Sequence, residues 1–176
     1  MPTYVALLRA VNVGGTGTLA MSRLKSICTD AGFDRVETYI ASGNVVFDSK
    51  AKPAAVKAEL ETRLAAALGK PVGVMVRTAA EIAAVLASNP FAKAKTRTKA
   101  EPKLTYVVFL DAAPPRDALE TVKGQADEKV ARGKREIFVH YPSGMGRSKL
   151  RIPAARAGTA RNLNTVAKLA AMAARR

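Results

Sequence analysis

Apolar positions in residues 3–11 occupy both sides of an alternating pattern, with Val5 and Leu7 on one side and Tyr4, Ala6 and Leu8 on the other. A strand of this kind is covered on both faces. The glycine-rich stretch 12–18 follows. Met21, Leu24, Ile27, Cys28 and Ala31 then recur at helical spacing, and Gly32 stands where a left-handed cap would end the helix. Residues 35–41 and 45–47 predict two short strands around Ser42-Gly43-Asn44, a tight hairpin signal. Pro53 suits a first helical turn, Val56, Leu60, Leu64 and Leu68 repeat every four residues, and Gly69 stops that helix. Residues 72–77 predict a closing strand. The order βαββαβ is that of a ferredoxin-like sandwich.

The second half is patterned less strongly. Residues 79–87 predict a short helix ended by Asn89-Pro90, because the residue before a proline is pushed out of helical geometry. Residues 91–102 form a basic loop with Lys93, Lys95, Arg97 and Lys99, and residues 104–110 an apolar strand. Pro114-Pro115 then opens a predicted helix to about residue 123. Residues 127–132 and 136–141 predict a hairpin across Gly133, and Leu163, Val166, Leu169 and Ala173 stripe a final helix. The expected architecture is α+β: a ferredoxin-like half, residues 1–78, packed against a related βαββ-helix half, residues 79–176, as one compact unit. The second half would cover the sheet face that a lone sandwich leaves wet. Inspection finds neither a sequence repeat between the halves nor a flexible linker.

Charge changes this picture. Of a net +15, residues 129–176 carry +11, with twelve Lys and Arg against the single acid Glu136. A field so concentrated suits an anionic partner. Nearly half the residues are apolar (48%), which excludes a disordered chain. The start resembles no signal peptide, no apolar run approaches the roughly 18 residues of a membrane span, and one cysteine permits no internal disulfide. The expectation is a soluble cytoplasmic protein without a membrane partner.

Several blocks carry a resemblance. Leu7-Leu8-Arg9-Ala10-Val11-Asn12-Val13-Gly14-Gly15, Thr38 to Phe47, Asn89-Pro90-Phe91, Arg135 to Phe138, Tyr141-Pro142, Gly146 to Leu150 and Arg161 to Val166 together resemble DUF1697, a bacterial family of uncharacterised proteins. The resemblance spans essentially the whole chain. Three departures stand out: Ala10 replaces the family's usual glycine, Ala41 its glutamine and Leu163 its tryptophan. The family has no established activity, so the resemblance implies a fold and sites but no function.

Gly15-Thr16-Gly17-Thr18-Leu19-Ala20 fits the dinucleotide pattern G-x-G-x-x-A between a strand and a helix. The hairpin that follows argues against it, since a Rossmann unit needs a parallel crossover. Arg9, Asn12, Gly14 and Gly15 make a better group, read either as an anion-binding turn or as a structural turn with Arg9 paired inside the protein. Ser42 and Asn44 of the hairpin join the candidate set. Gly144 to Lys149 offers exposed amides with Arg147, Ser148 and Lys149, the parts of a phosphate or carboxylate nest, or else a solvated turn. Arg161, Asn162 and Asn164 fall at the predicted start of the last helix, where anions are favoured, although an asparagine there is foremost a cap.

His140 is the lone histidine, a general base in principle and a strand-end structural residue by default. Cys28 reads as core, and one histidine with one cysteine is no metal signature. No cofactor is expected. The aromatic-rich strand of an RNA-recognition module is absent, which leaves loose phosphate binding as the nucleic-acid reading. Three functions follow as expectations. One is a binding protein whose basic cleft, between residues 9–15 and the Arg147 and Arg161 segments, holds an anionic small molecule or nucleic acid. Another is an enzyme acting on a phosphorylated or nucleotide-like substrate. The third is a module that meets an acidic protein.

Overall fold

The computed structural model of the chain describes residues 1–14, 18–92 and 101–176. The protein is mixed α+β, with two antiparallel four-stranded sheets and four helices among the described residues. It divides into two compact units, one of residues 1–83 with 168–176, the other of residues 84–167.

In the first unit, β1 (Thr3–Leu8), β2 (Asp34–Tyr39), β3 (Asn44–Asp48) and β4 (Val74–Thr78) lie in the order β2-β3-β1-β4. Helix α1 (Met21–Asp30) follows β1, and α2 (Pro53–Leu68) follows β3. Both helices form where apolar residues return every three or four positions, and both end as the sequence predicts, at left-handed Gly32 (φ 82°) and Gly69 (φ 71°). Leu24, Cys28, Val56, Leu60 and Leu64 bury their stripe on Tyr4, Ala6, Leu8, Val45 and Phe47 of the sheet. Phe33 stacks on Phe47 with ring centroids 4.3 Å apart. The opposite face, bearing Val5, Leu7 and Val46, is buried as well.

In the second unit, β5 (Thr105–Phe109), β6 (Lys129–Arg132), β7 (Glu136–His140) and β8 (Thr159–Asn162) take the order β6-β7-β5-β8, the same arrangement strand for strand. Helix α3 (Ala79–Ala87) follows β4 directly, and α4 (Leu163–Ala174) follows β8 directly. The registers expose a repeat that inspection of the sequence misses. Thr3-Tyr4-Val5-Ala6-Leu7-Leu8 and Thr105-Tyr106-Val107-Val108-Phe109-Leu110 occupy equivalent places. Thr3 pairs with Asp48 as Thr105 pairs with His140, and Val5 with Arg77 as Val107 with Arg161. Each arginine is buried, at 1% and 6% exposure, and donates to the carbonyl of the residue before it. Each next residue caps a helix: Thr78 Oγ1 accepts from Glu81 N, and Asn162 Oδ1 accepts from Thr165 N.

One expectation fails here, and one strand was not anticipated. The predicted helix 114–123 is a run of turns, with i to i+3 bonds such as Ala118 N to Pro115 O (3.0 Å) and Glu120 N to Asp117 O (2.9 Å). Pro114 and Pro115 lack donors, the Thr121 hydroxyl takes the Ala118 carbonyl, and Lys123 is drawn into an extended bridge with Arg151. The last helix begins at Leu163, so Arg161 and Asn162 belong to β8, a strand too short and polar to be read from sequence. Residues 15–17 and 93–100 lie outside the described residues, and with them both glycines of the dinucleotide-like motif and most of the basic loop. Strands β2 and β3 pair antiparallel.

Candidate functional site

In the first unit, β1 stops at Leu8, so Arg9 stands exposed beyond the strand rather than inside an apolar one, while its N–H donates to Gly73 O. Asn12 adopts a left-handed φ of 55° and commits its amide to the backbone. Nδ2 donates to Leu19 O (2.8 Å) and Ala41 O (2.7 Å), and Oδ1 accepts from Leu19 N (2.7 Å). That closes the loop and leaves Asn12 a structural role. Asn44, fully buried, donates to Tyr39 O and to Ser42 Oγ, both at 2.9 Å, so these two candidates brace the β2–β3 turn. Gly43 between them turns at φ 87°, with Leu8 Cβ only 2.9 Å from where a side chain would begin.

Asn12, Gly14, Thr18 and Ala41 border an open groove of about 640 Å³ that also takes in the start of α1. No side chain caps that helix, no acid sits in its first turn, and the described lining carries no charge. Gly15 lies outside the described residues.

In the second unit, Arg147, Ser148 and Lys149 border a smaller groove of about 350 Å³ together with Gly144, Asp127 and Glu128. Its two carboxylates are taken by hydroxyl and amide donors of the same groove rather than by the cations. Ser143 Oγ donates to Asp127, Ser148 Oγ donates to Glu128, and Ala126 N donates to the other Glu128 oxygen (2.6 Å). The Ser148 hydroxyl, followed by the backbone amides, holds the Glu128 carboxyl below its ordinary range despite burial. Ser148 also accepts from Leu150 N (3.1 Å), so its oxygen is spent inside the loop. Arg147 and Lys149 are exposed, and among the described residues neither makes an ion pair. No residue pattern pointed to the return of Asp127 and Glu128 to this loop.

Arg161 is a different kind of residue. It donates to Thr159 Oγ1 (2.6 Å) and Ala160 O (2.9 Å), and burial pushes its guanidinium down to about 10, still charged at neutral pH. It does not border the Arg147 groove. Asn162 spends its oxygen as a cap, and Asn164 is exposed on the first turn of α4.

His140 Nδ1 lies 2.9 Å from Thr105 Oγ1, with the Phe91 ring beside it. Desolvation and the Lys129 charge lower its pKa against smaller opposing effects of Glu101, Leu104 and Asp127, so the ring is neutral at pH 7. Burial pushes the Cys28 thiol up to about 12, as befits a core residue. No group of three or more His, Cys, Asp or Glu able to hold a metal occurs among the described residues. No described helix is long and apolar enough to cross a membrane.

The family model for DUF1697, proteins of unknown function, matches residues 1–138. The chain belongs to the DUF1697 family. The match takes in residues 1–83 of the first unit, with its groove, and stops before the Arg147 loop. A solved structure, that of the conserved bacterial protein SP0830 from Streptococcus pneumoniae, is similar over 99% of both chains, with a TM-score of 0.79 and 26% identity. No curated protein matches the chain. Within DUF1697 two of the departures now have places: Ala10, at φ 55°, occupies a left-handed position that glycine fills without strain, and Ala41 borders the first groove.

Proposed function

We propose that this protein binds phosphate-bearing anions, on a small molecule or a nucleic acid, through the exposed basic surface of its second unit. The observation that carries the reading is the state of Arg147 and Lys149. They stand exposed on a glycine-bearing loop while both carboxylates of the same groove are taken by serine hydroxyls and backbone amides. Cations left without carboxylate partners beside a recess are available to a phosphate. The uncapped start of α1 in the acid-free first groove offers a second, neutral set of donors.

The strand order, with helices after β1 and β3, supports a ferredoxin-like reading of the first unit, and the matched order supports a related second one. The buried lone cysteine fits a cytoplasmic protein. A thermal-shift series with nucleotides, phosphorylated metabolites and short oligonucleotides tests the proposal. At least one phosphate-bearing class raises Tm, and Arg147→Ala, which folds normally, loses that rise. A flat response to every member contradicts it.

One observation favours a second reading, an enzyme acting on a phosphorylated or nucleotide-like molecule. His140 is neutral and oriented by Thr105, as a proton acceptor must be. That reading requires turnover that His140→Asn removes while ligand binding survives.

A further inference from the structure

Two segments of the second unit meet away from the main ladder. Lys123 and Arg151 form an isolated antiparallel bridge, Lys123 N donating to Arg151 O (2.9 Å) and Arg151 N to Lys123 O (2.8 Å). Along residues 149–152 the side chains alternate. Leu150 and Ile152 pack on Val108, Ile137 and Val139, and Lys149 and Arg151 point to solvent. Lys123, directly opposite Arg151, is exposed too. Three cations therefore share the outer face of one short ribbon, within the reach of direct and diagonal cross-strand neighbours.

That placement is unfavourable on its own terms, because like charges opposite each other in a ladder repel. The backbone nonetheless enforces it. Gly124 takes a left-handed φ of 68° and lies so close to Lys149 that an added Cβ would sit 2.2 Å from the Lys149 carbonyl oxygen. Only glycine lets the 123–124 segment lie against 149–151 and hold the three charges together. Among the described residues none of the three has an acidic partner.

We propose that this ribbon is a docking surface for the phosphate backbone of a nucleic acid, an inference that rests on the anion-binding reading and gives it a partner. A row of cations on a flat outer face matches a row of phosphates, whereas a single small anion is held by donors that converge. No aromatic side chain stands in the row to stack a base, so binding is tolerant of sequence.

The test is fluorescence anisotropy of the full chain with a labelled oligonucleotide of mixed sequence, at several salt concentrations. It compares wild type with Lys123→Gln/Lys149→Gln/Arg151→Gln and with Lys25→Gln/Lys50→Gln/Lys70→Gln, which removes the same charge from exposed positions of the first unit. The ribbon variant is expected to weaken binding by roughly tenfold or more at low salt and to flatten the log–log salt slope by about 2 to 3. The control triple should stay near wild type. Equal weakening by both triples would mean that net charge alone binds, and displacement of the oligonucleotide by polyglutamate of equal charge would assign the surface to an acidic protein. Either overturns the inference while leaving the anion reading in place. No binding by wild type at low salt, with no response to any phosphate compound, removes both.

Discussion

The two units carry one sheet in two settings. In the first, α1 and α2 lie across the face bearing Tyr4, Ala6, Leu8 and Phe47, and fully bury Leu24, Leu60 and Leu64 against it. In the second, the described residues packed on the equivalent face of Val108, Leu110, Ile137 and Val139 come from no α-helix and are mainly those of the 150–155 segment, such as Leu150 and Ile152, themselves partly exposed. The strands, registers, buried arginines and helix caps are shared, while the connections are not. A helix brings a continuous apolar stripe to the sheet. A loop brings a few apolar residues and frees the rest of its length for glycines and cations. The second unit has thus given up core to display Gly144, Arg147, Lys149 and Arg151.

This contrast can be broken first by deleting core. Leu60→Ala should cost about 2–5 kcal/mol and Ile152→Ala about 1–2 kcal/mol, since the second side chain is already partly in water. Hydrogen exchange of the amides in each sheet checks it, because the two units need not unfold together. Similar losses at both sites would mean that the loops cover as well as helices do.

The shared caps give the next effect. Thr78→Ala and Asn162→Ala should each cost about 1 kcal/mol, because each removes the acceptor for the third amide of the following helix. Equal losses in chemical denaturation sharpen the repeat, and a silent Asn162→Ala would break it.

The matched threonine pairs differ in pH window. Burial would raise the Asp48 carboxyl, but the Thr3 hydroxyl and the Arg35 and Arg176 guanidinium groups together lower it from its ordinary 3.8. Its contribution is present above that value and is lost as pH falls through the lower folded value. His140 is also lowered, from an ordinary 6.5, by desolvation and Lys129, so the unfolded chain takes up its proton first and stability falls from about pH 6.5 downward. His140→Asn should remove the loss near pH 6, and Asp48→Asn only the loss in stronger acid, both read from urea midpoints across pH.

The smallest effect is a gain. Ala10→Gly relieves a left-handed alanine and should raise stability by about 0.5–1 kcal/mol, offset in part by the freer unfolded chain.

The same contrast explains what the sequence disclosed. The first unit was legible because Val56, Leu60 and Leu64 repeat at helical spacing and Gly32, Gly69 and Pro53 punctuate the helices where their geometry requires it. In the second unit, Pro114-Pro115 before Ala118, Leu119 and Val122 resembles a helix start, yet only Ala118 of those three is buried, too little to hold a helix in place. Strand β8 hid behind Arg161 and Asn162, polar residues whose strand role follows from register with Val107 and Tyr106. The repeat itself rests on Thr-Tyr-Val and a buried arginine, residues too few to detect without the pairing. Of the candidate residues, Arg147 and Lys149 lie on an exposed loop, as the glycines beside them suggest. Asn12, Ser42 and Asn44 proved to hold turns together, which a polar side chain beside a glycine does not reveal until its hydrogen-bond partners are known.

The most direct test of phosphate binding by the second unit is the salt dependence of oligonucleotide affinity for wild type and Arg147→Ala. The account predicts a linear fall of log affinity with log salt, made shallower by about 1 when Arg147 is removed. An affinity indifferent to salt, or a slope that Arg147→Ala leaves untouched, would contradict it.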